Sequence, residues 1–270
     1  MYNVLTLNKI AAIGTDKFDT AKYVVTDNCD APEAIMVRSA KMHDMEMKDN
    51  LLAIARAGAG VNNIPVDKCA EQGIVVFNTP GANANAVKEL AICGLLLASR
   101  KVPEAMNWAQ TLKGNGDEVG KMVEKGKSNF GGCEIMGKTL GLIGLGAIGG
   151  KLANIAISLG MNVIGYDPFL SVGAALSLKP QVKVTANVAD IYANADYISL
   201  HLPYNAETKD TINKETIAQC KDGVKLLNFA RGELVNSADI VEAVNSGKVS
   251  RYIVDFPCDE VLGVDNIIAI

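Results

Sequence analysis

The chain reads as an α/β protein built from two doubly wound, parallel-sheet domains, and three observations predict this. Short apolar runs alternate with longer helix-compatible stretches, the pattern of parallel strands joined by crossover helices. One of those runs leads directly into a glycine loop that opens a helix. Several charged residues then fall where apolar runs end, and open α/β sheets bind ligands outside the carboxyl ends of their strands.

The elements follow in order. Residues 34–38, 51–55 and 73–77 each form an apolar run ending in turn residues, as buried strands do. From Ala84 to Ser99, apolar Val87, Leu90, Ala91, Leu95 and Ala98 recur at helical spacing. Residues 113–132 are rich in glycine and lysine and read as a solvated inter-domain connection with a short helix inside it. A second series begins after Lys138, with a strand at 139–143, a helix at 147–159 and a strand at 162–166. Further strands are expected at 197–200, 224–228 and 252–254, and an apolar run closes the sequence at 267–270.

Composition narrows the function classes. Of the 270 residues, 49% are hydrophobic and 21% charged, with a formal net charge of −4. That is the balance of an ordinary globular protein, with no basic field to hold a nucleic-acid backbone or an anionic membrane. No apolar run reaches the roughly 18 residues that span a bilayer, and the N-terminus lacks the charged and apolar regions of a signal peptide. The expectation is a soluble cytoplasmic protein with neither nucleic-acid nor membrane partners. Cys29, Cys69, Cys93, Cys133, Cys220 and Cys258 form no C-x-x-C pair, and His43 and His201 are the only histidines, so no structural metal site is expected.

Gly144-Leu145-Gly146-Ala147-Ile148-Gly149 is a G-x-G-x-x-G between a strand and a helix, the context the dinucleotide fingerprint requires. The first glycine permits a tight turn, the second lets backbone approach a pyrophosphate, and the third lets helix and strand pack closely. Asp167 ends the next strand. A carboxylate there accepts hydrogen bonds from ribose hydroxyls and repels a 2′-phosphate, which predicts NAD over NADP.

Two further segments, Asn228-Phe229-Ala230-Arg231-Gly232 and Val254-Asp255-Phe256, join that fingerprint in a specific resemblance. With Val37-Arg38-Ser39-Ala40, the Arg56 to Asn63 loop, Phe77-Asn78-Thr79-Pro80, His201-Leu202-Pro203 and Ala218-Gln219-Cys220-Lys221, the chain resembles the D-2-hydroxyacid dehydrogenases over nearly its whole length. The phosphoglycerate-oxidising branch is the most similar, which implies NAD-dependent interconversion of 3-phosphoglycerate and 3-phosphohydroxypyruvate, the opening step of serine biosynthesis. The resemblance also implies a flavodoxin-like substrate domain at 1–100, a Rossmann NAD-binding domain at 101–270, and a homodimer or higher homo-oligomer. The apolar helix at 84–99 is a candidate interface.

The site residues it implies are these. Arg231 is the catalytic cation, since a guanidinium grips a carboxylate bidentately. Glu260 stands where the family carries the carboxylate that raises the pKa of its acid–base histidine. Asp255 contacts the nicotinamide carboxamide. Ala59, Ala147, Ile148, Leu202, Phe229 and Ala230 line the cofactor, beside Gly144, Gly146, Gly149 and Asp167. Arg38 and Gly58 hold the substrate, Arg38 serving as the second cation that a phosphorylated substrate needs, while Arg56 braces the loop.

The family's histidine follows a short apolar strand that matches residues 266–270, so it is expected just beyond Ile270, as is the segment that returns to the substrate domain. His201, within the cofactor wall, is not expected to replace it. Two alternatives stay open: a glyoxylate or hydroxypyruvate reductase, and an NAD-sensing binding protein of corepressor type.

Overall fold

The computed structural model describes residues 1–270 and divides them into two units, Met1–Asn83 and Ala84–Ile270. In the first unit the strands are β1 (Tyr2–Leu7), β2 (Tyr23–Thr26), β3 (Ala34–Val37), β4 (Ala53–Arg56) and β5 (Val75–Phe77), with short helices α1 (Ala12–Thr15) and α2 (Val66–Glu71). All pairings are parallel, in the order β2-β1-β3-β4-β5. That is the flavodoxin-like order. Ile35, Val37, Ile54, Met42 and Ile64 form the buried centre of its core.

The second unit opens with α3 (Ala84–Ser99), α4 (Val102–Thr111) and α5 (Val119–Gly126). It continues as β6 (Thr139–Ile143), α6 (Gly149–Ser158), β7 (Asn162–Tyr166), α7 (Val172–Leu176), β8 (Lys183–Thr185), α8 (Ala189–Asn194) and β9 (Tyr197–Leu200). The remaining elements are α9 (Lys214–Gln219), β10 (Val224–Asn228), α10 (Ser237–Asn245), β11 (Val249–Val254) and β12 (Ile267–Ala269). Its seven parallel strands run β12-β11-β10-β9-β6-β7-β8, the dinucleotide-binding order with one strand added at an edge.

The central strands are buried on both faces, which explains why they read as continuous apolar runs rather than alternating ones. Leu140, Tyr197, Leu227 and Ile253 point into one core with α3 and α6. Ile198, Leu226 and Tyr252 point into the other with α8 and α10. Each core is covered by helices because successive side chains on a strand take opposite faces.

The division falls at 83/84 rather than at the expected 100/101, and the packing of α3 gives the reason. Gly94 lies so close to the sheet that a Cβ there would sit 2.6 Å from the Phe229 ring and 3.1 Å from Leu227. At the end of the helix, the Ser99 and Tyr197 hydroxyls are 2.8 Å apart. The glycine- and lysine-rich connection holds α5, flanked by 3-10 turns at Gly116–Glu118 and Lys127–Phe130, and lies inside the second unit.

Candidate functional site

In the second sheet β6 is flanked by β7 on one side and β9 on the other, which places the topological switch at the carboxyl end of β6. The glycine loop occupies this point. Gly144 takes φ +99, a backbone conformation that side-chain-bearing residues rarely adopt, and its N–H donates to the Tyr166 carbonyl at 2.8 Å. A Cβ on Gly149 would lie 2.0 Å from the Gly144 carbonyl oxygen, so the turn closes this tightly only with glycine there. Gly146 differs. It is exposed, and a Cβ on it would meet nothing within 4 Å, so the space beside it is open to a ligand.

Helix α6 begins immediately after this loop without a side-chain cap. The Gly150 N–H already donates to the Gly146 carbonyl at 3.0 Å, while the positive end of the helix dipole remains available to an anion. Ala147 is exposed and Ile148 half-buried beside it. Asp167 is half-buried, and its two oxygens accept the backbone N–H groups of Leu145 and Phe169, each at 2.9 Å. A carboxylate oxygen has more than one acceptor site, so both retain capacity for a ribose. A cradle that a side chain would fill, an uncapped helix and an anchored carboxylate together fit a dinucleotide.

A second cluster forms where β10 and β11 end. Asn228 is fully buried; its Nδ2 donates to the Arg231 carbonyl at 2.7 Å, and its Oδ1 accepts the Ala230 N–H at 3.1 Å. This clasp turns the chain sharply after the strand and fixes Arg231. The Arg231 side chain donates from Nη1 to the Ala230 carbonyl at 2.6 Å, and its guanidinium lies 5.4 Å from the Phe256 ring centre, within cation–π range. Beside it, the Asp255 Oδ1 is buried and has no hydrogen-bond partner. Burial raises the Asp255 pKa to about 6 against the opposing pull of Arg231. Such an orphaned acceptor fits the N–H donors of a carboxamide.

Not every expected residue faces this region with its side chain. The Phe229 ring is buried against Gly94, leaving only its backbone for a ligand. Ala230 and Leu202 are half-buried. Burial pushes the pKa of His201 down to about 4, and its Nε2 lies 3.0 Å from the Ser199 hydroxyl. It stays neutral near pH 7, as a wall residue rather than a proton carrier. Glu260 stands exposed on a 3-10 turn, Asp259–Val261. Its pKa is held below the usual carboxylate range, chiefly by the Cys258 side chain.

Asn228 and Phe256 were not singled out by sequence reasoning. Both lie within the two segments that carry the resemblance, but only the folded turn makes one the clasp and the other the platform of Arg231. No group of three or more His, Cys, Asp or Glu side chains is arranged to hold a metal ion.

In the first unit, Arg38 follows β3 and is exposed. Gly58, after β4, takes φ +151, and a Cβ there would collide with the Arg56 guanidinium at 1.6 Å, so Arg56 folds over this loop. The Gly58 carbonyl accepts the Thr79 N–H at 2.9 Å. The carbonyl of exposed Ala59 accepts from Asn78 Nδ2 at 2.7 Å.

Residues 92–268 match the family model described as "D-isomer specific 2-hydroxyacid dehydrogenase, NAD binding domain". A hydroxypyruvate reductase of Thermotoga maritima is 38% identical over 252 residues, which are 88% of this chain and 76% of that protein. A D-3-phosphoglycerate dehydrogenase of Mycobacterium tuberculosis is 37% identical over 220 residues, 80% of this chain but 39% of its own length. The chain thus spans well under half of that relative. Among solved structures, the holo form of Rhodotorula graminis D-mandelate dehydrogenase superposes with a TM-score of 0.79 at 21% identity, covering 100% of this chain and 87% of that one. This last likeness speaks for the fold. The matched domain is an NAD-binding one, and the glycine loop, Asp167 and Asp255 fit that cofactor.

Proposed function

The chain belongs to the D-isomer specific 2-hydroxyacid dehydrogenase family, and from that premise we propose that it interconverts 3-phosphoglycerate and 3-phosphohydroxypyruvate with NAD. Bound NAD supplies the hydride acceptor, or as NADH the donor. The rest falls to side chains. Arg231 pairs with the substrate carboxylate, and in the reducing direction it stabilises charge that develops on the carbonyl oxygen. The Asn228 clasp holds Arg231 in place, so little ordering remains to be done when substrate arrives. Asp255 accepts from the carboxamide, and Asp167 from the adenosine ribose.

The proton of the substrate hydroxyl needs a carrier that titrates near neutrality, and the resemblance gives that role to a histidine. Exposed Glu260 is open to pair with that imidazole, and neutral His201 is not the carrier. Arg38 takes the phosphate. The mixed burial of α3, with Leu96 47% exposed, supports assembly into a homo-oligomer.

The observation that carries this reading is the Arg231–Asp255 pair at the ends of β10 and β11: a guanidinium anchored through Nη1 on the Ala230 carbonyl, beside a buried acceptor awaiting a donor. A reductase for hydroxypyruvate or glyoxylate is the second reading, favoured by the greater span shared with the Thermotoga relative. NADH-driven turnover of phosphohydroxypyruvate, hydroxypyruvate and glyoxylate tests the choice. The expected kcat/KM favours the phosphorylated acid by at least about tenfold, the worth of one charge-assisted contact. Equal or reversed preference overturns it in favour of the reductase.

A further inference from the structure

β1 and β3 are neighbours in the first sheet, with Leu7 opposite Val37, so the residues that follow them emerge side by side at the carboxyl edge. Asn8 follows β1 directly and takes φ +71, a conformation asparagine tolerates better than most residues. Its Oδ1 accepts three consecutive backbone N–H groups, those of Arg38, Ser39 and Ala40, at 3.3, 2.9 and 2.8 Å. Successive N–H groups make a small positive concavity of the kind that attracts an anion. Here a neutral amide oxygen from the same sheet edge fills it. The loop is therefore closed from within, and the exposed Arg38 side chain is what remains to meet a ligand.

The clasp extends further. Asn63 Nδ2 donates to the Ala40 carbonyl at 2.9 Å, tying this loop to the one that carries Gly58. Without the Asn8 oxygen, three N–H groups would turn to water and the Arg38 backbone would lose its fixed point. We infer that Asn8 is the positioning residue for Arg38: it touches no substrate and sets the affinity for the substrate's anionic end by ordering the loop of residues 38–40. This rests on the reading that Arg38 binds the phosphate.

Three variants of the full chain test it. Asn8→Gly keeps the positive-φ backbone and removes the acceptor, Asn8→Asp keeps both, and Arg38→Ala removes the cation. Calorimetry measures 3-phosphoglycerate and NADH binding, and hydrogen exchange follows the amides of residues 38–40. For Asn8→Gly we expect 3-phosphoglycerate affinity to fall about tenfold and exchange at these amides to quicken, with NADH affinity unchanged. Asn8→Asp should keep the amides protected. Arg38→Ala should weaken 3-phosphoglycerate at least as much while leaving them protected. Full affinity in Asn8→Gly beside a weakened Arg38→Ala overturns the inference and leaves the reading of Arg38 standing. So does exchange in Asn8→Asp as fast as in Asn8→Gly. Full affinity in Arg38→Ala overturns the reading of Arg38, and the inference with it.

Discussion

Asp255 sets the cost of burying a carboxylate against its proposed role at the cofactor. Its carboxylate is half-buried with one oxygen unpartnered, and burial outweighs the attraction of Arg231, raising the pKa from 3.8 to about 6. The folded state therefore holds the proton more tightly than the unfolded one does. Native stability from this group is fullest at low pH and falls as pH rises through about 6. Asp255→Asn removes the buried charge. Allowing for its partial exposure, it should stabilise the protein by about 1 kcal/mol at about pH 8, with no gain at about pH 4. Urea unfolding at the two pH values checks this, and an equal effect at both contradicts it. Arg231 and Asp255 drew attention through the family resemblance carried by the segments that contain them. The local Asn228 clasp exists only once the turn is folded, and Asn8 was not legible because an asparagine that clasps backbone 30 residues away leaves no periodic trace.

At the scale of elements, the loop between β6 and α6 makes a sharper claim, since its glycines serve different ends. Gly149 is needed by the fold, because a Cβ there meets backbone at 2.0 Å, whereas Gly146 faces open space. Gly146→Val should leave the unfolding midpoint near that of the wild type and weaken NADH by at least about tenfold. Gly149→Ala should cost about 1–3 kcal/mol of stability, because overpacked backbone must shift. Denaturant unfolding with NADH fluorescence titration separates the two, and a Gly146→Val protein that binds NADH normally would remove the cofactor from this loop. Strands buried on both faces, β6, β9 and β10, were readable as apolar runs, and α3 was readable from its 3.6-residue period. The edge strand β8 was not. Its three residues, Lys183–Thr185, are largely solvent-facing and carry no apolar run, so only pairing with β7 makes them a strand.

For the whole molecule, the parallel two-sheet architecture followed from the alternation of elements, while the boundary between units did not. A helix that is apolar on most of its surface announces burial without saying which sheet buries it. Gly94, the one residue that lets α3 press onto Phe229, is unremarkable in a chain with 25 glycines. In the proposed function, NAD binds the second unit and the substrate's carboxylate meets Arg231. The most direct test measures two quantities for the wild type and for Arg231→Ala: the NADH dissociation constant, and kcat/KM for NADH-driven reduction of phosphohydroxypyruvate. The account predicts NADH affinity within about twofold of the wild type and kcat/KM lower by about a thousandfold. An Arg231→Ala protein that keeps wild-type turnover would contradict it.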